Sequence, residues 1–114
     1  MISARGLNPA VKSAVEWCFE AARLNGLQPT VTSTYRSLSE QRKLYRDFLA
    51  GKSPYPANPA GQSGHNYGLA WDSWVPDAQM PLWTAIREAA GFRVPANDLI
   101  HAEVPSWPEL VRRR

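Results

Sequence analysis

The chain predicts a small α+β domain, with helices packed on a short, mainly antiparallel sheet. Three observations carry that expectation. An apolar stripe at helical spacing follows Asn8-Pro9, and a run rich in β-branched residues fills 30–35. The later strand-like segments do not alternate with helices in the regular βαβ manner of a parallel sheet. With 114 residues the chain can bury one modest core, so a single domain spanning 1–114 is expected.

The first helix is expected from about Pro9 to Leu24. Asn8 suits the N-cap, because its side-chain oxygen can accept from a first-turn amide, and Pro9 suits the first helical position. Val11, Val15, Cys18 and Ala22 then recur on one face, and Gly26 can close the end. Cys18 falls within that stripe and reads as a small buried hydrophobe. Thr30–Tyr35 reads as a strand. Ser37-Leu-Ser-Glu40 is a capping box that starts a second helix, running to about Ala50 before Gly51.

From Gly51 to Gly64 the chain holds Pro54, Pro56 and Pro59, which predicts a long loop, and loops of that length inside compact domains tend to carry function. Leu69–Val75 is strand-like. Pro81 opens a third helix ending near Gly91, with Leu82, Ala85, Ile86 and Ala89 expected on one side. Phe92–Val94 and Leu99–Val104 are short strand candidates, and Ser106-Trp-Pro-Glu109 caps a final short helix. Among the five tryptophans, Trp17, Trp83 and Trp107 are expected to pack in or on the core. Trp71 should face away from its neighbour Asp72, and neither it nor Trp74 is expected to contact a ligand.

The composition is 44% apolar and 20% charged, as in ordinary soluble domains, and no apolar run reaches the length of a membrane span. A single cysteine rules out an intrachain disulfide. Met1–Pro9 lacks the basic-then-apolar pattern of a secretory signal. The formal charge is +3, and Arg112, Arg113 and Arg114 at the end of the chain supply three of the positives. Such a balance assists approach to a polyanion, but a solvated tail is the better explanation. No base-reading or stacking module accompanies it, so a nucleic-acid partner is not expected.

Chemistry concentrates in two places. Ser63-Gly-His65-Asn-Tyr-Gly68-Leu-Ala70-Trp-Asp72 sets an imidazole and a carboxylate on either side of a glycine. The other of the chain's two histidines lies in Asp98-Leu-Ile-His101-Ala-Glu103. Two imidazoles and one carboxylate form a three-ligand set that leaves a fourth position on zinc open, the arrangement of catalytic zinc sites. By spacing alone each histidine is better read as structural or exposed.

The pattern Ser-x-His-x-x-Gly-x-Ala-x-Asp is complete here in Ser63, His65, Gly68, Ala70 and Asp72, with an acid three residues before the second histidine. Upstream stand Thr34-Tyr35-Arg36-Ser37, Gln41 and Leu44-Tyr45. From about Asn8 to Glu103 the chain thereby resembles the zinc D-alanyl-D-alanine carboxypeptidases and L-alanyl-D-glutamate peptidases. This VanY-like group includes endolysins and shares its fold with the hedgehog signalling domain. The resemblance implies that His65, Asp72 and His101 bind Zn2+ and that Asp98 is the general base. Many carboxypeptidase members carry glutamate at that position, whereas aspartate occurs among endolysin-like endopeptidases. Arg36 is implied as the group that stabilises the oxyanion or holds a substrate carboxylate. Glu103 is a competing base, better suited to orienting His101 or contacting substrate, and Ser63 can contact substrate or cap a turn.

The implied function is a monomeric zinc metallopeptidase acting on peptidoglycan stem peptides. It would be made in the cytoplasm and would reach the cell wall by release or another export route. The alternative is a non-catalytic, metal-stabilised domain that binds cell wall or protein.

Overall fold

The computed structural model describes residues 6–112, so Met1–Arg5, with the start of the segment read for a signal, and Arg113 and Arg114 of the basic tail lie outside it. Its elements are α1 (Pro9–Leu24), β1 (Thr30–Ser33), α2 (Leu38–Leu49), β2 (Ala70–Trp74), α3 (Met80–Ala89), β3 (His101–Glu103) and α4 (Trp107–Arg112). Short 3-10 turns cover Gly64–Tyr67 and Asp77–Gln79. This is the expected α+β architecture.

Local chemistry explains most of the boundaries. Asn8 Oδ1 accepts from the Ala10 amide at 3.0 Å, with Pro9 opening α1. The capping box before α2 is complete: Ser37 Oγ accepts from the Glu40 amide at 3.1 Å, and Glu40 Oε1 accepts from the Ser37 amide at 3.0 Å. β1 is shorter than the β-branched run suggested and ends at Ser33, where the chain turns to present Arg36.

The sheet order is β1-β2-β3, all antiparallel, with β2 in the centre. Asp72 is the register partner of His101 on one side and of Ser33 on the other. The second pairing depends on a register shift between Val31 and Ser33. Such an irregularity re-aims the side chains beyond it.

The core lies on the opposite face of the sheet. Val11, Val15, Cys18 and Ala22 from α1 meet Trp71 and Val75 from the β2 region, Trp83 and Ile86 from α3, and Ala102 from β3. Trp71 packs edge-on against Trp83 and Phe92, with ring centroids 5.9 and 5.5 Å apart. Cys18 is fully buried, and burial pushes its thiol up to about 12, so it is no nucleophile at neutral pH.

Three expectations need correction. Trp17 is 51% exposed, because it sits one position off the α1 stripe. The buried side of α3 is Met80, Trp83, Ile86 and Arg87, while Leu82, Ala85 and Ala89 face outward. Trp83 sets that rotation: its ring is fully buried and its Nε1 donates to Ser73 Oγ at 2.9 Å. Phe92–Val94 is no strand, and contributes only a bridge between Arg93 and Glu103.

Candidate metal centre and active site

His65 is carried by the Gly64–Tyr67 turn rather than by a strand. Ser63 caps that turn, its Oγ accepting from the His65 amide at 3.3 Å. Gly68 closes it with φ +70°, a left-handed conformation that favours glycine. Space makes the same demand, since a Cβ on Gly68 would stand 2.5 Å from the Gly6 carbonyl oxygen. The chain then enters β2 and delivers Asp72 to the face away from Trp71.

Arg36 and His65 fix each other's backbones. The Arg36 amide donates to the His65 carbonyl at 3.0 Å, and buried Asn66 donates through Nδ2 to the Arg36 carbonyl at 2.8 Å. Behind them, Arg36 Nη1 donates to Gln41 Oε1 and Nη2 to Ser33 Oγ, both at 3.0 Å. Gln41 is itself buried and donates to the Asn58 carbonyl at 2.8 Å, tying the proline-rich loop to the site. Arg36 Nη2 reaches within 3.6 Å of Asp72 Oδ2.

Three ligand atoms converge. His65 Nε2 lies 3.2 Å and His101 Nδ1 3.0 Å from the same oxygen, Asp72 Oδ1. The outer nitrogens are engaged: His65 Nδ1 stands 2.7 Å from the Thr34 carbonyl oxygen, and His101 Nε2 2.7 Å from Glu103 Oε1. A carbonyl oxygen only accepts, so Nδ1 of His65 carries a proton, and in the neutral ring Nε2 turns a lone pair inward. With His101 donating to the Glu103 carboxylate, its Nδ1 does the same when neutral. In those neutral forms lone pairs face the carboxylate oxygen and call for a cation between them, whereas without an ion a proton on the inner nitrogen bridges to Asp72 instead.

A metal ion fits this donor set. Two ligand atoms each about 2.0–2.1 Å from a tetrahedral zinc stand about 3.3 Å apart, close to the separations here. The three residues form a group with all ligand atoms within 4.8 Å of one another, and their summed charge of one carboxylate leaves a bound dication attractive to an anionic nucleophile. Outer partners on both imidazoles are the usual companions of metal-bound histidine.

Without an ion, protons hold the cluster together. Burial raises Asp72, but hydrogen bonds from His101 and His65 outweigh it and hold the carboxyl well below the ordinary range. Burial lowers His101, yet its bonds to Asp72 and Glu103 raise it to about 9 in the metal-free protein. Glu103 is lowered, first by the His101 hydrogen bond. Asp98 lies outside the three-residue cluster, on a turn closed by its amide to the Pro95 carbonyl at 3.0 Å. It is exposed overall, and the burial its carboxyl does have raises it, against the pull of the His101 charge.

Comparison with known proteins decides the family. Residues 4–97 match the family model VanY, D-alanyl-D-alanine carboxypeptidase. The chain belongs to the VanY family. No curated protein matches it. Among solved structures it is similar to the LD-carboxypeptidase LdcB, at 21% identity and TM-score 0.70, over 96% of this chain and 72% of that one. It is also similar to VanYB in complex with D-alanine-D-alanine, at 17% identity and TM-score 0.70, over 94% and 77%. A third similar structure is the vancomycin-resistance D,D-pentapeptidase VanY in complex with Zn(II), at 18% identity and TM-score 0.71, over 98% and 83%. At these identities the likeness is one of fold.

The VanY match takes in Arg36, Ser63, His65 and Asp72 but ends before Asp98, His101 and Glu103. It is the β2–β3 register that joins His101 to the VanY motif. Sequence reasoning overlooked Asn66 and the Thr34 carbonyl, which hold Arg36 and His65. Thr34 acts through its backbone, on which the side chain gives no signal. Asn66 occupies an unspecified position of the motif, and nothing in the pattern distinguishes it.

Proposed function

We propose that this chain is a zinc-dependent metallopeptidase that hydrolyses peptide stems of bacterial peptidoglycan, with 1–114 as one catalytic domain. The observation that carries the reading is the convergence of His65, Asp72 and His101 beside a fixed Arg36, in a member of the VanY family. In this reading His65, Asp72 and His101 hold Zn2+. Zinc bound there supplies a Lewis acid and a water acidified to near neutrality.

The remaining steps belong to the chain's own residues. Asp98 accepts the proton of the attacking water and returns it to the leaving amine. Its raised carboxyl suits that exchange better than an ordinary aspartate. Arg36 directs N–H groups at the carbonyl oxygen as it gains charge, or at a substrate carboxylate. Because Gln41 and Ser33 already hold the guanidinium, little reorganisation is required at that moment. Glu103 orients His101 and Ser63 orients His65, so both support ligands and neither has to touch the substrate.

The D-alanine-D-alanine bound in VanYB and the LD-carboxypeptidase activity named for LdcB support stem peptides as the substrate class. Two cleavage positions fit: removal of a terminal D-Ala, or scission between L-Ala and D-Glu. Mass spectrometry of defined stem peptides separates them, by loss of one alanine or by release of the L-Ala side. Both products must vanish with a chelator. Stem peptides of several chemotypes left intact by zinc-loaded protein would overturn the enzyme reading and favour a metal-stabilised binding domain.

A further inference from the structure

Arg87 lies on the inner face of α3 with no solvent exposure and no carboxylate partner among the described residues. Burial pulls its guanidinium down to about 10, so it remains charged at neutral pH. Its Nη1 has no hydrogen-bond partner among the described residues. Nε donates to the Trp83 carbonyl at 3.3 Å, and the guanidinium carbon stands 5.3 Å from the Trp83 ring centroid. Nη2 donates to Thr84 Oγ1 at 3.2 Å and to the Leu99 carbonyl at 2.7 Å, and lies 3.5 Å from Met80 Sδ.

Such a residue is expensive. A buried charge without a counter-ion, and with an unsatisfied donor, costs stability that an apolar side chain of similar length would not. The α3 contacts to Trp83, Thr84 and Met80 are local to the helix. Among the described residues only the bond to Leu99 reaches another part of the fold, and it lands between Asp98 and His101. That stretch consists of turns alone. Within itself it is closed by the Asp98 amide to Pro95 and the His101 amide to Asp98, both at 3.0 Å. It is moored to the body by the Ser73 amide, donating to Ile100 at 2.9 Å, and by Arg87.

We propose that Arg87 is a positioning residue: it clamps the Leu99 carbonyl, so that the turn carrying Asp98 and leading into His101 keeps one place relative to Asp72. The catalytic half of this inference rests on the peptidase reading above; the structural half does not.

The test is Arg87→Met, followed by amide hydrogen exchange, thermal unfolding, zinc content and steady-state kinetics on a stem peptide. Exchange at the Asp98 and His101 amides should quicken about tenfold or more, with α2 amides unchanged, since outside α3 that turn alone loses a hydrogen bond to a charged donor. The thermal midpoint should fall by no more than about 5 °C. Zinc content should hold at the wild-type level. Turnover should fall about 10- to 100-fold, the scale of a small misplacement of a catalytic group. KM should stay within about 2-fold, as expected when transition-state contacts alone are lost. Wild-type exchange at both amides overturns the proposal. So does a general rise in exchange with loss of zinc, because that marks a purely structural role. Arg87→Lys, which keeps the stem and one donor, covers the case of a Met variant that does not fold. Intermediate exchange and turnover are expected of it, and wild-type values for both overturn the clamp. If the wild-type protein cuts no stem peptide, the peptidase reading fails on its own, and the exchange data still judge the clamp.

Discussion

Asp72 and His101 are register partners on β2 and β3, and His101 Nδ1 stands 3.0 Å from Asp72 Oδ1. Directly opposed residues in an antiparallel pair present their side chains on the same face at close range. Two of the three converging groups are therefore set by sheet register, while His65 is set by a capped turn. A one-residue slip of β3 would turn His101 away from Asp72 and place Ala102 or Ile100 there instead.

Removal of any converging side chain should abolish stable metal binding. His65→Ala and His101→Ala are each expected to weaken zinc affinity by more than about 100-fold, beyond the effect of losing an outer partner alone. Metal analysis after dialysis against a weak chelator checks this. Full zinc occupancy in either variant would remove that residue from the site.

Asp98 and Glu103 should separate by phenotype. Asp98→Asn should retain zinc and lose about 10²- to 10⁴-fold in turnover, since an amide cannot take the water's proton. Glu103→Gln removes the carboxylate behind His101 and should cost about 10- to 100-fold in metal affinity. Excess zinc should restore much of its turnover, and none of that of Asp98→Asn. The reverse pattern would exchange the two roles.

The helices and the turn that carries His65 were legible because their signals are local. Asn8-Pro9, the Ser37–Glu40 box and the glycine at 68 each satisfy a backbone demand within a few residues. The convergence of His65, Asp72 and His101 was legible through the motif and not from spacing. His101 meets Asp72 only through strand pairing across 29 positions. Periodicity alone does not fix the rotation of α3, because Leu82, Ala85 and Ala89 form as good an apolar stripe as Met80, Trp83 and Ile86. The choice belongs to Trp83, whose Nε1 finds Ser73 on β2. Arg87 was invisible for the same reason, since an arginine on a helix is ordinarily exposed.

Stability of the metal-free protein should depend on pH in a direction opposite to that of metal binding. His101 is raised from 6.5 to about 9 in the fold, chiefly by Asp72 and Glu103 against the effect of burial. Its contribution is then fully present below about 6.5 and is lost as pH rises through about 9. Asp72 is depressed, so its contribution is present above its unfolded value of 3.8 and fades only in strong acid. Chelator-treated protein should lose stability between pH 6.5 and 9, whereas zinc should stabilise more as pH rises because the ion competes with protons for imidazole. Denaturant midpoints with and without zinc across that range measure both slopes. A metal-free midpoint that climbs toward pH 9 would contradict the His101 network.

Gly68→Ala should be far more damaging than a substitution at another positive-φ glycine. At Gly68 the added Cβ meets the Gly6 carbonyl at 2.5 Å, while at Gly51, with φ +73°, nothing lies within 4 Å. Left-handed strain alone costs about 1–2 kcal/mol, which is all that Gly51→Ala should show. Overpacking against backbone adds about 1–3 kcal/mol more at Gly68. Urea unfolding of the two variants compares them, and equal losses would mean that the approach of Gly68 to the Gly6–Asn8 segment is not tight.

The most direct measurement is turnover of a defined stem peptide while chelator-stripped protein is titrated with zinc. Hydrolysis that depends on a metal-held water must follow occupancy. Turnover should rise linearly from zero and level off at one equivalent of zinc per chain, with His65→Ala flat throughout. Turnover that is present without zinc, or absent at saturating zinc, would contradict the account.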